Sequence, residues 1–410
     1  MKKILRKVPV LFRAILRIVK LGFAWVILHG FYRDLIQRDI WLICEKRDEA
    51  RDNGYHFYKY VRERHPEINA YYVITKGSAD LSKVKMLGNI IFADSIQHAV
   101  YFLACVMSIN SQAYGAFPYG MNKAELRIAK KMCNPRQKTI FLQHGIIKDE
   151  LSHKAFDYAS CNIDFFTCSV YREYEFVKEK YGYPDSAIGQ VGLCRFDKLY
   201  HADSAKEKII LVMPTWRTWL KRHADNMPLK ESEMKQFAES DYCRQYIDLL
   251  MSEPLRNRMK DHGYKLIFYP HYQLQDYLPL FSECADDTVI IADRGNYDVQ
   301  ELLMSASVLV TDYSSVQFDF AYMNKPVVYF QFDKKRFEGG HYKRGYFDYE
   351  VDAFGPCSDD VNEVVRILEK LIETDGVQPD IYQKRIDDFF DIRDDKNCER
   401  TFHAISRLQS

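Results

Sequence analysis

The stretch Ser305–Asp333, SASVLVTDYSSVQFDFAYMNKPVVYFQFD, constrains the chain more than any other. Val308, Leu309 and Val310 form an apolar run with no polar break, as a strand buried on both faces does. Thr311-Asp312-Tyr313-Ser314-Ser315 follows at once and is rich in helix-capping side chains. Val316, Phe320, Tyr322 and Met323 then recur at helical spacing until Asn324-Lys325-Pro326 stops the helix, and Val327–Phe330 supplies a second buried strand. The strand-to-helix turn of this βαβ unit offers backbone N–H groups and hydroxyls, the donors that a phosphate needs. A well-capped helix in an ordinary α/β domain has the same pattern, so the neighbouring motifs must decide.

A chain of 410 residues exceeds a single core and divides into two domains. Short apolar runs at 41–44, 70–74, 90–92, 106–110, 139–142 and 164–168 alternate with helical segments, and a second series begins at 209–212 and continues at 266–268 and 289–291. Such alternation predicts parallel sheets covered on both faces. The polar stretch 198–207 separates the halves, giving domains at 33–203 and 204–376. Residues 377–410 read as terminal helices, the last packing back on the first domain.

The ten cysteines include no C-x-x-C pair, which excludes a zinc ribbon and a thioredoxin-like site and suits a reducing cytosol. Residues 1–20 hold seven basic side chains and no acid, so 51 basic residues face 57 acidic ones in the remainder. A basic arm on a mildly acidic body points to an anionic surface rather than to nucleic acid. On a helical wheel Lys2, Arg6, Arg13, Arg17 and Lys20 share one sector, with Val8, Leu11, Phe12, Ile15 and Val19 opposite. Residues 1–32 therefore read as a basic amphipathic helix that attaches to an anionic membrane surface through residues 1–20. The alternative is a first helix packed on the body with its basic face in solvent. The uncharged run 21–32 is shorter than the roughly 20 residues that span a bilayer, and no small-x-small cleavage site follows it.

Strand ends carry the chemistry. Gln143-His144-Gly145 follows one buried run, and Tyr269-Pro270-His271 follows another, where open α/β sheets place their ligands. His144 is the candidate general base, since neutral imidazole accepts an alcohol proton, and Gly145 allows close approach to the backbone. Arg195 and Asp197 follow a glycine turn at Gly192, and Arg195 either clamps a phosphate or pairs with Asp197. The second half delivers Thr215, Arg217, His271, Thr311, Ser314 and Ser315, and later Arg344, a phosphate-binding inventory with no carboxylate cluster for a metal. D-x-D, G-x-G-x-x-G, P-loop and G-x-S-x-G motifs are absent, against a paired-aspartate metal site, a dinucleotide dehydrogenase, a P-loop NTPase and an α/β-hydrolase.

Taken together, Gln143-His144-Gly145, Met213-Pro214-Thr215-Trp216-Arg217, Tyr269-Pro270-His271, Thr311–Ser315 and Arg344–Glu350 resemble the CDP-glycerol glycerophosphotransferase family of teichoic-acid and capsule synthesis. The resemblance covers roughly residues 135–355 and departs from the family pattern at Gln143, Ile146 and Cys194. It implies a GT-B-like α/β fold, two Rossmann-like domains with a cleft between them, preceded by the amphipathic helix. It implies catalytic roles for His144 and His271, and donor phosphate binding by Thr311, Ser314, Ser315, Arg344 and Arg217. Further contacts to nucleotide or acceptor are expected from Gly145, Thr215, Arg195, Asp197 and Asp319. The donor it implies is CDP-glycerol or CDP-ribitol with no cofactor and no metal, and the acceptor it implies is a lipid-linked polyol phosphate or saccharide at the cytoplasmic face of the membrane. A glycosyltransferase using a nucleotide sugar, and a membrane-attached binding subunit without chemistry, are the competing expectations.

Overall fold

The computed structural model describes residues 8–112, 123–202, 207–220, 229–340 and 343–409, without the side chains of 8–13, 123, 124, 154 and 155. The chain forms two compact units. The first comprises residues up to His144, Ser152–Asp197 and Asp394–Ser410, and the second Gly145–Leu151 and Lys198–Arg393.

The first unit is a seven-stranded sheet, all parallel, in the order β3-β2-β1-β4-β5-β6-β7. Its strands are β1 (Trp41–Cys44), β2 (Ala70–Ile74), β3 (Ile90–Phe92), β4 (Met107–Asn110), β5 (Lys138–Phe141), β6 (Phe165–Cys168) and β7 (Ile188–Gln190). The buried run Trp41-Leu42-Ile43 faces helices on both sides, and each such fully buried side chain contributes about 1.5–3 kcal/mol. The last helix, Asn397–Ser406, packs on this unit through Cys398, Phe402 and Ile405.

The second unit carries β8 (Ile209–Val212), β9 (Lys265–Phe268), β10 (Val289–Ile291), β11 (Val308–Thr311), β12 (Val327–Phe330) and β13 (Cys357–Ser358), again all parallel, in the order β10-β9-β8-β11-β12-β13. The βαβ unit expected at 305–333 is present as β11, the helix Val316–Tyr322 and β12, in the register Leu309↔Val327. In both sheets the strand order reverses direction at one place, between β1 and β4 and between β8 and β11. Crevices open at such switch points, outside the carboxyl ends of the strands.

The first described helix, Val8–Phe31, packs on the first unit through Leu21, Ala24 and Leu28, spaced so that they share one face. Here the structure differs from the expectation of a basic face turned outward. Arg17 binds Glu125 with two hydrogen bonds of 2.6 and 2.8 Å, and the Lys20 ammonium bonds the Asp94 carbonyl. The charged side of the helix is thus the body side at these positions. The side turned away carries Ile15, Val19, Phe23 and Val26, each more than half exposed. Residues 14–31 make an apolar run long enough by length and composition to cross a membrane, with only 17% of it buried. The basic residues at 2, 3, 6 and 7 lie outside the described residues.

Candidate active site

In the first unit the site is built at the ends of β1, β4 and β5. β1 hands over to Glu45, whose buried carboxylate accepts the N–H groups of Arg51 (2.7 Å), Asp52 (3.1 Å) and Tyr55 (3.0 Å). Burial, with the charge of Asp52 added, pushes this carboxyl up to about 8. The loop so gathered starts the helix Asn53–Arg64 beside the strand ends, capped by Asp52. Gly54 permits that approach, since a Cβ there would stand 2.6 Å from the Cys44 carbonyl oxygen.

Asn53, fully buried, ties three segments together. Its Nδ2 donates to the carbonyls of Leu142 and Gln143 (3.3 and 2.9 Å), and its Oδ1 accepts from the Arg195 N–H (3.0 Å). Gln143 adopts φ 60°, a left-handed conformation uncommon for a residue with a side chain. Its buried amide donates to the Thr167 carbonyl and to Glu173, which holds the turn in place. The next residue is His144.

His144 retains an exposed surface although protein crowds its ring. Loss of water lowers its pKa from the ordinary histidine value; Asp52 opposes this, and the cations Arg195 and Lys46 add to it. The net result is an imidazole kept neutral near pH 7, the protonation state a general base needs. Arg195 pairs with Asp52, 3.1 Å from Nη1 to Oδ1, rather than with Asp197. Asp197 is a helix cap: it accepts from the N–H groups of Asn397 and Cys398 at 2.7 and 2.9 Å. That commitment replaces its expected role as a ligand contact.

In the second unit, β8 and β11 end side by side at the switch point. Asp312, fully buried, accepts the N–H groups of Thr215 and Tyr313 on one oxygen (2.8 and 2.6 Å). The Thr311 hydroxyl donates to the Met213 carbonyl at 2.7 Å, so it stitches β11 to β8. Arg217 corrects the expectation of a phosphate clamp. It is wholly buried, bonds Asp333 through Nε (2.6 Å) and Nη2 (3.0 Å), meets Asp312 and the Thr215 carbonyl through Nη1, and lies among Tyr242, Tyr313, Phe332 and Phe337. A guanidinium so enclosed holds the site together and is closed to a ligand. Asp319, on the helix Val316–Tyr322, is buried too, which leaves little surface for the ligand contact expected of it.

Ser314 and Ser315 are the hydroxyls with surface. Among the described residues, no acceptor takes their N–H groups, while the Ser314 hydroxyl accepts from Val316 N at 3.4 Å. Gly145 lies in this unit against Ser315, where a Cβ would stand 3.0 Å from the hydroxyl oxygen. His271 stands at the end of β9, next to Trp216 and Tyr272. Its Nδ1 accepts from Gln273 N at 3.3 Å, so in the neutral ring Nε2 carries the proton. Arg344 is exposed and paired with Asp348; it edges a recess lined by Lys148, Tyr313, Lys334 and Tyr349. Among the described residues, no group of three or more His, Cys, Asp or Glu is arranged to hold a metal ion.

The sequence from residue 28 to residue 407 matches the family described as CDP-glycerol:poly(glycerophosphate) glycerophosphotransferase. The chain belongs to that family. It is 31% identical to the minor teichoic acid biosynthesis protein GgaB of Bacillus subtilis over 93% of its own length and 41% of that protein's. It is 28% identical to a teichoic acid glycerol-phosphate primase of the same organism over 48% of the chain and 46% of the primase. The chain therefore spans less than half of these curated relatives. Its fold is similar to that of the wall teichoic acid polymerase TagF, with a TM-score of 0.68 at 17% identity and 97% of each chain covered. A more distant fold likeness, TM-score 0.53 at 12% identity over 90% of this chain and 96% of the other, is to a UDP-N-acetylglucosamine 2-epimerase from Listeria monocytogenes.

Proposed function

We propose that this chain transfers glycerol phosphate from CDP-glycerol to a hydroxyl of a teichoic-acid-like acceptor and releases CMP. His144 takes the proton of the acceptor hydroxyl. The acceptor oxygen forms a bond to the phosphorus that bears the glycerol, and the bond from that phosphorus to the CMP oxygen breaks. The N–H groups and hydroxyls of Ser314 and Ser315, with His271 Nε2–H as a further donor, stabilise the charge gathering on phosphate oxygens. Arg344 supplies an exposed cation beside them. The observation that carries this reading is the place of His144 at the end of β5, directly after the left-handed Gln143 turn that Thr167 and Glu173 hold.

The chain works at a membrane surface in this proposal, on an acceptor anchored there, with the helix Val8–Phe31 as its attachment. The outward apolar face of that helix supports the assignment.

The test is release of CMP from CDP-glycerol, and from CDP-ribitol in parallel, with a polyol-phosphate acceptor. Wild-type chain releases CMP and forms a phosphodiester. His144→Ala lowers turnover by roughly 10²–10⁴-fold, the range for loss of a general base, and binds donor as before. A glycosidic product, or full turnover by His144→Ala, would overturn the assignment.

A further inference from the structure

We infer that Gly345 is a positioning residue for His144, acting through the segment Gly145–Leu151. The inference rests on His144 being the base. The chain enters the second unit at Gly145, directly after His144, and leaves it at Leu151. Within that unit the segment is docked at successive points. Gly145 lies against Ser315. The Lys148 ammonium, nearly buried, pairs with Asp149 and sits 5.4 Å from the centre of the Tyr349 ring. Glu150 N donates to the Lys343 carbonyl at 2.9 Å, and the two residues form an antiparallel bridge.

Gly345 makes this docking sterically feasible. A Cβ at that position would collide with the Lys148 carbonyl, standing 2.9 Å from its carbon and 3.0 Å from the Asp149 Cα. These are backbone atoms, which cannot swing aside as the end of a long side chain can. The backbone of Gly345 is not left-handed, so space rather than conformation requires the glycine. Consecutive Cα atoms are about 3.8 Å apart and the peptide is planar, so a displaced segment drags its neighbour. Any side chain at 345 pushes 148–149 outward, and the push reaches His144 through Gly145. In this way Gly345 acts on the base without itself touching substrate.

The experiment compares the full chain with Gly345→Ala and, as control, Gly339→Ala, at which a Cβ would meet nothing within 4 Å. Gly345→Ala is expected to lower kcat on the order of tenfold to a hundredfold, the effect of a small misplacement of a reacting group, with a much smaller change in the Kd for CDP-glycerol. In protein labelled at histidine, the His144 imidazole resonances move in Gly345→Ala and stay in place in Gly339→Ala. Wild-type kcat with unmoved resonances overturns the inference. So does a loss shared equally by kcat, donor affinity and melting temperature, which marks a merely structural residue. If Gly345→Ala does not fold, Lys148→Met carries the same expectations. If wild-type chain releases no CMP from any donor, the proposed activity falls, and the imidazole resonances alone decide the role of Gly345.

Discussion

Arg195 donates to Asp52 across 3.1 Å, and the two charges act on His144 in opposite senses. The carboxylate favours the imidazolium and the guanidinium disfavours it, while burial tips the balance toward the neutral ring. A base of this kind loses activity as pH falls through its pKa, so the acid limb of kcat/KM reports it. Arg195→Met removes a cation that opposes the imidazolium and loosens its hold on Asp52, which raises the His144 pKa and moves the acid limb to higher pH. Asp52→Asn does the reverse and extends activity to lower pH. A pH profile of CMP release for both variants checks the pair. Shifts in the same direction would show that neither charge is felt at the base.

Ser314 and Ser315 offer both hydroxyls and N–H groups, and only the hydroxyls can be removed by substitution. A hydrogen bond to a charged phosphate is worth about 1.5–3 kcal/mol, so Ser314→Ala and Ser315→Ala should each weaken CDP-glycerol binding by roughly tenfold or more. Thr311→Val should leave donor affinity unchanged, because its hydroxyl is engaged by Met213. It should lower the melting temperature instead. Titration calorimetry with CDP-glycerol separates these two outcomes.

Arg217 neutralises the fully buried carboxylate of Asp312 and the partly exposed one of Asp333. Arg217→Met keeps the stem and removes the charge, leaving both carboxylates uncompensated. Breaking a buried pair in this way costs about 3–5 kcal/mol. The expected result is a chain that unfolds in markedly less denaturant, with loss of activity that follows loss of structure. Normal stability combined with a raised KM for donor would instead restore Arg217 as a ligand.

Local pattern carried the sheet well and the site unevenly. β1, β8, β10 and β12 fall where unbroken apolar runs place them, because burial on both faces leaves that mark in the chain. β7 and β13 have three and two residues, too few to show a period. The helices Glu231–Ala238, Asp241–Leu250 and Glu253–His262 lie between β8 and β9 in a stretch where no such run stands out. The positions of His144, His271, Ser314 and Ser315 beyond strand ends were legible because an unbroken apolar run fixes where its strand stops. Arg217 and Asp197 looked like ligands because their partners are distant, Asp333 116 residues on and Asn397 200. Asp52 and Asn53 were missed, though Asp-Asn-Gly soon after a strand is a helix-start signal that could have found them.

The N-terminal helix poses the same problem and yields the last prediction. Its wheel has one charged sector and one apolar sector, and the sequence leaves open which of them meets the body. Glu125, 108 residues from Arg17, answers that by drawing the cation inward. The outward sector, with Val19 61% and Phe23 60% exposed, is then the one left to meet a lipid surface. Burying such side chains contributes about 1.5–3 kcal/mol each, enough in combination to hold a protein at an interface. Attachment through these residues should resist salt, since no screened charge is involved. In flotation with lipid vesicles, Val19→Asp with Phe23→Asp should release the full chain, whereas Arg17→Gln should leave it bound and only loosen the helix from the body. Release by moderate salt, with the Val19/Phe23 variant still bound, would move the attachment to the basic residues at the start of the chain.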